Sequence, residues 1–314
     1  MYLDCKQTAE MLSRWDNFLL VTHKNPDGDS LCSAAALCSA LRRAGKTAYM
    51  FANPGVSEKF EPFVSAFLAP AGFARDCTVC VDVAAEDMFC KGFSGSVDLA
   101  IDHHPTNPGF GAENCIYPEA SACGEIVLEI IEQLCGGPDR AEATLLYIAL
   151  TTDTGAFMYS NVNPGSFAAA SRLLSYGAEY MKVNRVFFRE VSRERIALEG
   201  MIYSGFEYYR GGEVVVSVIT LEMMEKSGAG EKDIGDLAGL PGRVKGQEVT
   251  VLIRELEKGK CKISVRSGRN VSSSRICSYF GGGGHEKASG CTIEAEPERA
   301  KKLLLEVIDS VLDE

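Results

Sequence analysis

Three short segments constrain this chain most: FLLVTH (18–23), TVCVDVA (78–84) and DLAIDHH (98–104). Each is almost continuously apolar and carries an ionisable residue at or near its end. A strand with one wet face alternates polar and apolar side chains. A strand covered on both faces reads as an unbroken apolar run, as in a parallel sheet between two layers. TAYMFA (47–52) has the same character. Helical patterns separate these runs: LCSAAALCSALRRAG (31–45), closed by glycine, then segments near 120–135, 139–152 and 164–177. This alternation predicts an α/β fold, with an N-terminal doubly wound and mainly parallel sheet. FFREVSRERIALEGMIYSG (187–205) reads as a charged helical connector. A second pattern follows it: strands over 213–220, 248–256 and 259–267, and a helix over 271–280 with Ser272–Ser274 as capping hydroxyls. A glycine loop then runs into a strand (281–294), and a helix opens near Pro297. The expected organisation is a domain over 1–186, a helical linker over 187–205 and a smaller α/β domain over 206–314. A cleft between the two domains is expected.

Composition excludes several classes. No segment approaches the roughly 20 continuous apolar residues of a membrane span. The start, MYLDCKQTAEMLSRWDN, is polar and amphipathic rather than a signal peptide, so a cytoplasmic protein is expected. The 12 cysteines mostly sit inside apolar patterns, as buried thiols of a reducing compartment would. Cys77 and Cys80 form a CxxC, but no second pair or neighbouring histidine completes a zinc site. A net charge of -11 argues against broad attraction to long nucleic acid. Residues 243–275 nevertheless hold nine Lys or Arg against three Glu. That stretch suits a short polyanion, and equally a solvated sheet face.

Ligands of open parallel sheets bind at the carboxyl ends of the strands. Polar clusters fall where such ends are expected: His23, Asp27 and Asp29 in THKNPDGDS, Asp82, and then Asp102, His103 and His104. Asp153, in ALTTDTGAF, closes an apolar helical run before a glycine turn. An Asp after a strand is commonly a turn former or helix cap. The chain has only four histidines, however. Three of them sit at these ends and the fourth, His285, follows four consecutive glycines. Carboxylates and imidazoles converging without thiolate favour manganese or magnesium over structural zinc. Two such ions, about 3.5–4 Å apart and sharing a carboxylate, suit phosphoryl transfer. Four glycines also suit a flexible linker. Lying between a helix and a strand beside the basic stretch, they favour close approach of backbone amides to a phosphate or carboxylate. They do not form a Walker loop, which ends in Lys-Ser/Thr.

HKNPDGDS, VDVA, IDHHPTN and TTDTGAF, in that order, resemble the motifs of the DHH-type phosphoesterases. SVRSG followed by GGGGHEKASG resembles the DHH-associated substrate-binding domain. The likeness spans nearly the whole chain, which in size and arrangement looks like the NrnA-like group of bifunctional oligoribonucleases and pAp phosphatases. It implies that His23, Asp27 and Asp82 hold one metal ion. Asp29, Asp82, His103 and Asp153 would hold a second, with Asp82 bridging. His104 would contact the scissile phosphate and Asp102 would orient the histidines. Arg266, Ser267, Gly283, Gly284 and His285 would hold the far end of a short nucleotide. Cys32 departs from the family's usual glycine, and Ala122 and Cys123 replace residues that are often Ser and Thr. Those departures bear on substrate preference and on a hydrogen bond behind the ligands.

The expectation is therefore a phosphohydrolase using two divalent ions, manganese ahead of magnesium, on very short RNA or 3'-phosphoadenosine 5'-phosphate (pAp). A homodimer is compatible with it. Rival readings are a cyclic dinucleotide phosphodiesterase and a nucleotide-binding regulator without catalysis. An inorganic pyrophosphatase shares the metal motifs, but the GGGGH segment argues against it.

Overall fold

The computed structural model describes residues 1–268 and 270–313. They form two compact units, Met1–Glu190 and Val191–Glu314. The first holds α1 (Cys5–Arg14), β1 (Phe18–Val21), α2 (Gly28–Arg43), β2 (Ala48–Met50), α3 (Glu61–Val64), β3 (Cys77–Val81), β4 (Leu99–Asp102), β5 (Glu113–Ile116), α4 (Cys123–Cys135), α5 (Arg140–Asp153), α6 (Pro164–Ser175) and α7 (Tyr180–Phe188). The five strands are all parallel, in the order β2-β1-β3-β4-β5.

Alternate residues of each central strand serve opposite faces, which is why the strands read as unbroken apolar runs. Phe18, Leu20, Val79, Val81, Leu99 and Ile101 join the large core formed with α1, α2, α4 and α5. Leu19, Val21, Cys80 and Ala100 point the other way, into two small clusters roofed by Phe51, Phe73, Phe89, Phe93 and Phe110. That second face is thus covered mostly by aromatic residues on connecting segments. In this order the chain reverses direction between β1 and β3. The crevice beyond the carboxyl ends there is the ordinary ligand position of an open parallel sheet.

The second unit begins with α8 (Arg193–Ser204), followed by β6 (Glu207–Tyr209), β7 (Val214–Ile219), α9 (Leu221–Ser227), α10 (Glu231–Ile234), β8 (Val249–Glu257), β9 (Lys260–Ser267), α11 (Ser273–Ser278), β10 (Gly283–His285), β11 (Ala288–Ile293) and α12 (Pro297–Leu312). Its six-stranded sheet runs β10-β11-β9-β8-β7-β6, with only the β7–β8 pair parallel. One face packs Ile263, Val265 and Val251 with residues of α11 and α12, such as Ile276 and Leu304. On the other face, Leu198 and Ile202 of α8 pack with Ile219 and Leu252. The 187–205 segment is therefore the tail of α7, a break, and a helix packed into the second unit.

The glycine run also differs from a plain loop, because Gly283–His285 is itself a strand paired with β11. A Cβ on Gly282 would lie 2.3 Å from the Gly290 carbonyl oxygen, and one on Gly284 2.7 Å from that of Ala288. Glycine is what permits this hairpin.

Candidate active site

The side chains singled out at the strand ends lie together in the first unit. β1 delivers His23, and the turn after it places Asp27 as the N-cap of α2, accepting from Ser30 N–H at 3.0 Å. Two residues on, Asp29 is buried. Asp82 follows β3 with φ of 58°, a left-handed conformation that a non-glycine residue adopts at a cost of about 1–3 kcal/mol. β4 delivers Asp102, followed by His103 and His104. α5 ends on Asp153.

Donor atoms converge in three overlapping groups: His23, Asp27 and Asp82; Asp29, His103 and Asp153; and Asp82, His103 and His104. His23 Nε2 is 3.7 Å from Asp27 Oδ1 and 3.9 Å from Asp82 Oδ2. His103 Nε2 is 3.5 Å from Asp82 Oδ1, 3.7 Å from Asp153 Oδ2 and 3.8 Å from Asp29 Oδ2. The two histidines of the DHH run are held differently. His103 Nδ1 lies 3.1 Å from the Ala120 carbonyl. A carbonyl only accepts, so Nδ1 carries the proton and Nε2 presents its lone pair to the carboxylates. His104 instead turns Nδ1 to Asp102 Oδ1 at 2.7 Å. Asp102 also accepts from the backbone N–H groups of His103 and His104 and from Asn107 Nδ2.

The carboxylates of the site perturb one another strongly. Burial, with Asp29 and Asp27 nearby, pushes the Asp82 carboxyl well up. Burial pushes Asp29 up to about 7 against the pull of His103, and it also raises Asp153. Burial works against Asp27 and Asp102 as well. There, hydrogen bonds win: His23 and Ser30 hold Asp27 below the usual carboxylate range, and His104 and Asn107 do so for Asp102. The Asp102 hydrogen bond raises His104. Among the described residues, His23 Nδ1 and Asp82 Oδ1 are buried without a hydrogen-bond partner. Among the described residues no Lys or Arg pairs with any of these carboxylates. Buried carboxylates normally need such compensation. An all-N/O donor set with orphaned buried atoms fits divalent cations.

Three supports escaped the sequence reading. Asp29 accepts from the backbone N–H groups of Cys123 at 2.6 Å and Gly124 at 2.9 Å, at the start of α4, and from Ser33 Oγ at 2.9 Å. The bond from position 123 thus uses main chain, and the cysteine in place of a hydroxyl residue leaves it intact. Cys32 is fully buried in the α2 core. Asn161 Nδ2 reaches Asp153 Oδ2 at 3.3 Å, the Asp153 carbonyl at 3.2 Å and the Ser121 carbonyl at 2.9 Å. Between them, Ala156 and Phe157 take φ of 55° and 65°, turning the chain sharply after Asp153.

In the second unit, Arg266 and Gly283 line one depression on the sheet. Ser267 Oγ is spent on the Val271 carbonyl at 2.8 Å. His285 is exposed, while its carbonyl accepts from Ser289 Oγ at 2.6 Å. A Cβ on Gly283 would meet nothing within 4 Å. Of the basic stretch, Arg254 pairs with Glu231, and Lys260 with Glu257 and Glu294. Arg269 lies outside the described residues.

Residues 17–150 match the DHH family, N-terminal domain, and residues 211–314 match the DHHA1 domain. A bifunctional oligoribonuclease and PAP phosphatase NrnA of Thermus thermophilus is 34% identical over 92% of this chain and 88% of its own length. The chain belongs to the DHH family. Among solved structures, an exopolyphosphatase-related protein of Bacteroides fragilis superposes with a TM-score of 0.83 at 23% identity, covering 98% of this chain and 95% of that one. The exonuclease RecJ bound to manganese gives a TM-score of 0.53 at 14% identity, covering 99% and 94%. Both likenesses concern the fold. Among the described residues, no helix of this DHH protein is long and apolar enough to cross a membrane.

Proposed function

We propose that this protein is a metal-dependent phosphohydrolase of very short oligoribonucleotides and of pAp. The observation that carries the reading is the convergence of His23, Asp27, Asp29, Asp82, His103 and Asp153 at the crevice beyond β1, β3 and β4, with Asp82 common to two donor groups. The similarity to NrnA over nearly the whole chain names the substrate class.

His23, Asp27 and Asp82 would hold one divalent ion; Asp29, Asp82, His103 and Asp153 would hold the other. Manganese comes ahead of magnesium on the donor set. Such a pair supplies charge stabilisation at the phosphate and activation of water for in-line attack. The chain's own residues do the rest. Ala120 fixes the His103 tautomer and Asn161 fixes Asp153. Asp102 orients His104 and raises its basicity, so that His104 Nε2 can hold a proton against a phosphoryl oxygen as charge develops. Arg266, Gly283, Gly284 and His285 bind the part of the nucleotide that does not react, with Ser267 bracing that strand end. All twelve cysteines are free thiols, as suits the reducing cytoplasm, where we place the protein.

The test is a substrate panel. Metal-stripped protein is incubated with pApA, pAp, a pentaadenylate and cyclic di-AMP, with and without manganese, and products are separated by chromatography. Manganese-dependent AMP from pApA and pAp is expected. Turnover of cyclic di-AMP alone would replace this reading with a cyclic dinucleotide phosphodiesterase. No turnover by metal-loaded protein would favour a binding-only regulator.

A further inference from the structure

On the face of the second sheet that α8 covers in part, β9 and β11 continue beyond the SVRSG and GGGGHEKASG segments with Lys262 and Thr292. Along β9, buried Cys261, Ile263 and Val265 alternate with Lys262, Ser264 and Arg266, which face the other way. Their partners on β11 are Thr292, Gly290 and Ala288 in register. Lys262, Ser264, Arg266, Gly283, Gly290 and Thr292 line one depression of about 460 Å³. Two cationic side chains, two glycines and the hydroxyl residues Ser264, Ser289 and Thr292 are among its lining. Arg266 spends one N–H on the Val265 carbonyl. Among the described residues, Lys262 has no ion-pair or hydrogen-bond partner.

The rungs on either side of this track differ sharply. Arg254, opposite Lys262 on β8, is neutralised by Glu231. Lys260, two residues beyond Lys262, pairs with Glu257 at 3.7 Å and with Glu294 at 3.4 Å. At about 3.4 Å per residue, Arg266 and Lys262 stand roughly 14 Å apart along the strand, with Ser264 midway. The free positive charge therefore runs from Arg266 to Lys262 and stops at a pair of carboxylates.

We propose that Lys262, with Ser264 and Thr292, forms a backbone-phosphate subsite for the nucleotides of a single-stranded substrate lying beyond the one held at Arg266, and that Glu294 and Glu257 close it. The arrangement is a length gauge. A chain with a few phosphates gains contacts along β9, and a longer one meets repulsion at Glu294. pAp, whose two phosphates sit on one nucleoside, does not reach Lys262. This inference rests on the phosphohydrolase reading for its ligand class.

The experiment compares wild type, Lys262→Ala and Glu294→Ala, all manganese-loaded, on pAp, pentaadenylate and heptaadenylate. Lys262→Ala is expected to lower kcat/KM on the pentanucleotide roughly two- to fivefold, the effect of one exposed charge pair, and to leave pAp unchanged. Glu294→Ala is expected to raise the heptanucleotide-to-pentanucleotide ratio. Binding of a fluorescent, slowly cleaved phosphorothioate pentanucleotide gives an independent readout. Its log–log salt slope should fall in magnitude by about 0.7 in Lys262→Ala, the value for one phosphate contact to a single strand. Equal losses on pAp and the pentanucleotide, or an unchanged salt slope, would overturn the subsite. If wild type cleaves nothing yet the slope changes as stated, the subsite stands and the hydrolase reading falls.

Discussion

Asp82 binds the account together at the scale of single residues. It is buried in a left-handed conformation, keeps one oxygen without a partner, and faces both His23 and His103. Asp82→Asn should reduce bound manganese from two ions to at most one, read by metal titration, while circular dichroism stays native. Asn161→Ala removes the brace on Asp153 together with the bond to the Ser121 carbonyl. It should weaken manganese affinity and activity about 10- to 100-fold, as loss of a group behind a metal ligand typically does. Protons compete with the same ions. Asp29, pushed up to about 7, takes up a proton in the metal-free fold well above the roughly 3.9 of a free Asp. The metal-free fold is thus penalised as pH rises through about 7, and metal relieves that penalty. Manganese affinity should rise between pH 6 and 8, by about one log unit per pH unit for each proton displaced. Calorimetry showing no pH dependence would contradict this.

At the scale of elements, sequence pattern and structure agree where burial dictates the pattern. β1, β3 and β4 are almost wholly apolar because both faces are covered, and their ends carry ionisable residues because the crevice opens there. The same logic explains what stayed hidden. β5, with the sequence ENCI, is short and half polar, so no period marks it. The backbone amides at the start of α4 that hold Asp29 leave no side-chain signature. Asn161 stands eight residues from Asp153 and meets it only through the tight turn at Gly155–Phe157. The glycines separate by role in the same way. Gly28 of α2 packs on α5 so closely that a Cβ would lie 2.3 Å from Thr152 Oγ1. Gly28→Ala should therefore lower stability by about 1–3 kcal/mol in urea unfolding. Gly283 faces open space, so Gly283→Ala should keep the wild-type unfolding midpoint while raising KM. Gly282→Ala, by contrast, should disturb the hairpin itself. An unchanged KM in Gly283→Ala would remove the glycine run from the substrate site.

On the scale of the whole molecule, charge and chemistry are divided between the units. The protein carries a net charge of -11, and its first unit gathers buried carboxylates that raise one another's pKa. The second offers a short unpaired basic track on an otherwise acidic chain. That division suits a small polyanion and disfavours long nucleic acid, whose affinity would need many more phosphate contacts. The proposed hydrolysis depends on the carboxylate cluster holding two divalent ions. The deciding measurement is a manganese titration of the metal-stripped protein, run in parallel on wild type and Asp82→Asn, with AMP release from pApA followed at each point. Two equivalents bound by wild type and activity rising with occupancy are expected, with at most one equivalent bound and AMP release lost in Asp82→Asn. Full AMP release without manganese, or wild-type metal binding and turnover in Asp82→Asn, would contradict it.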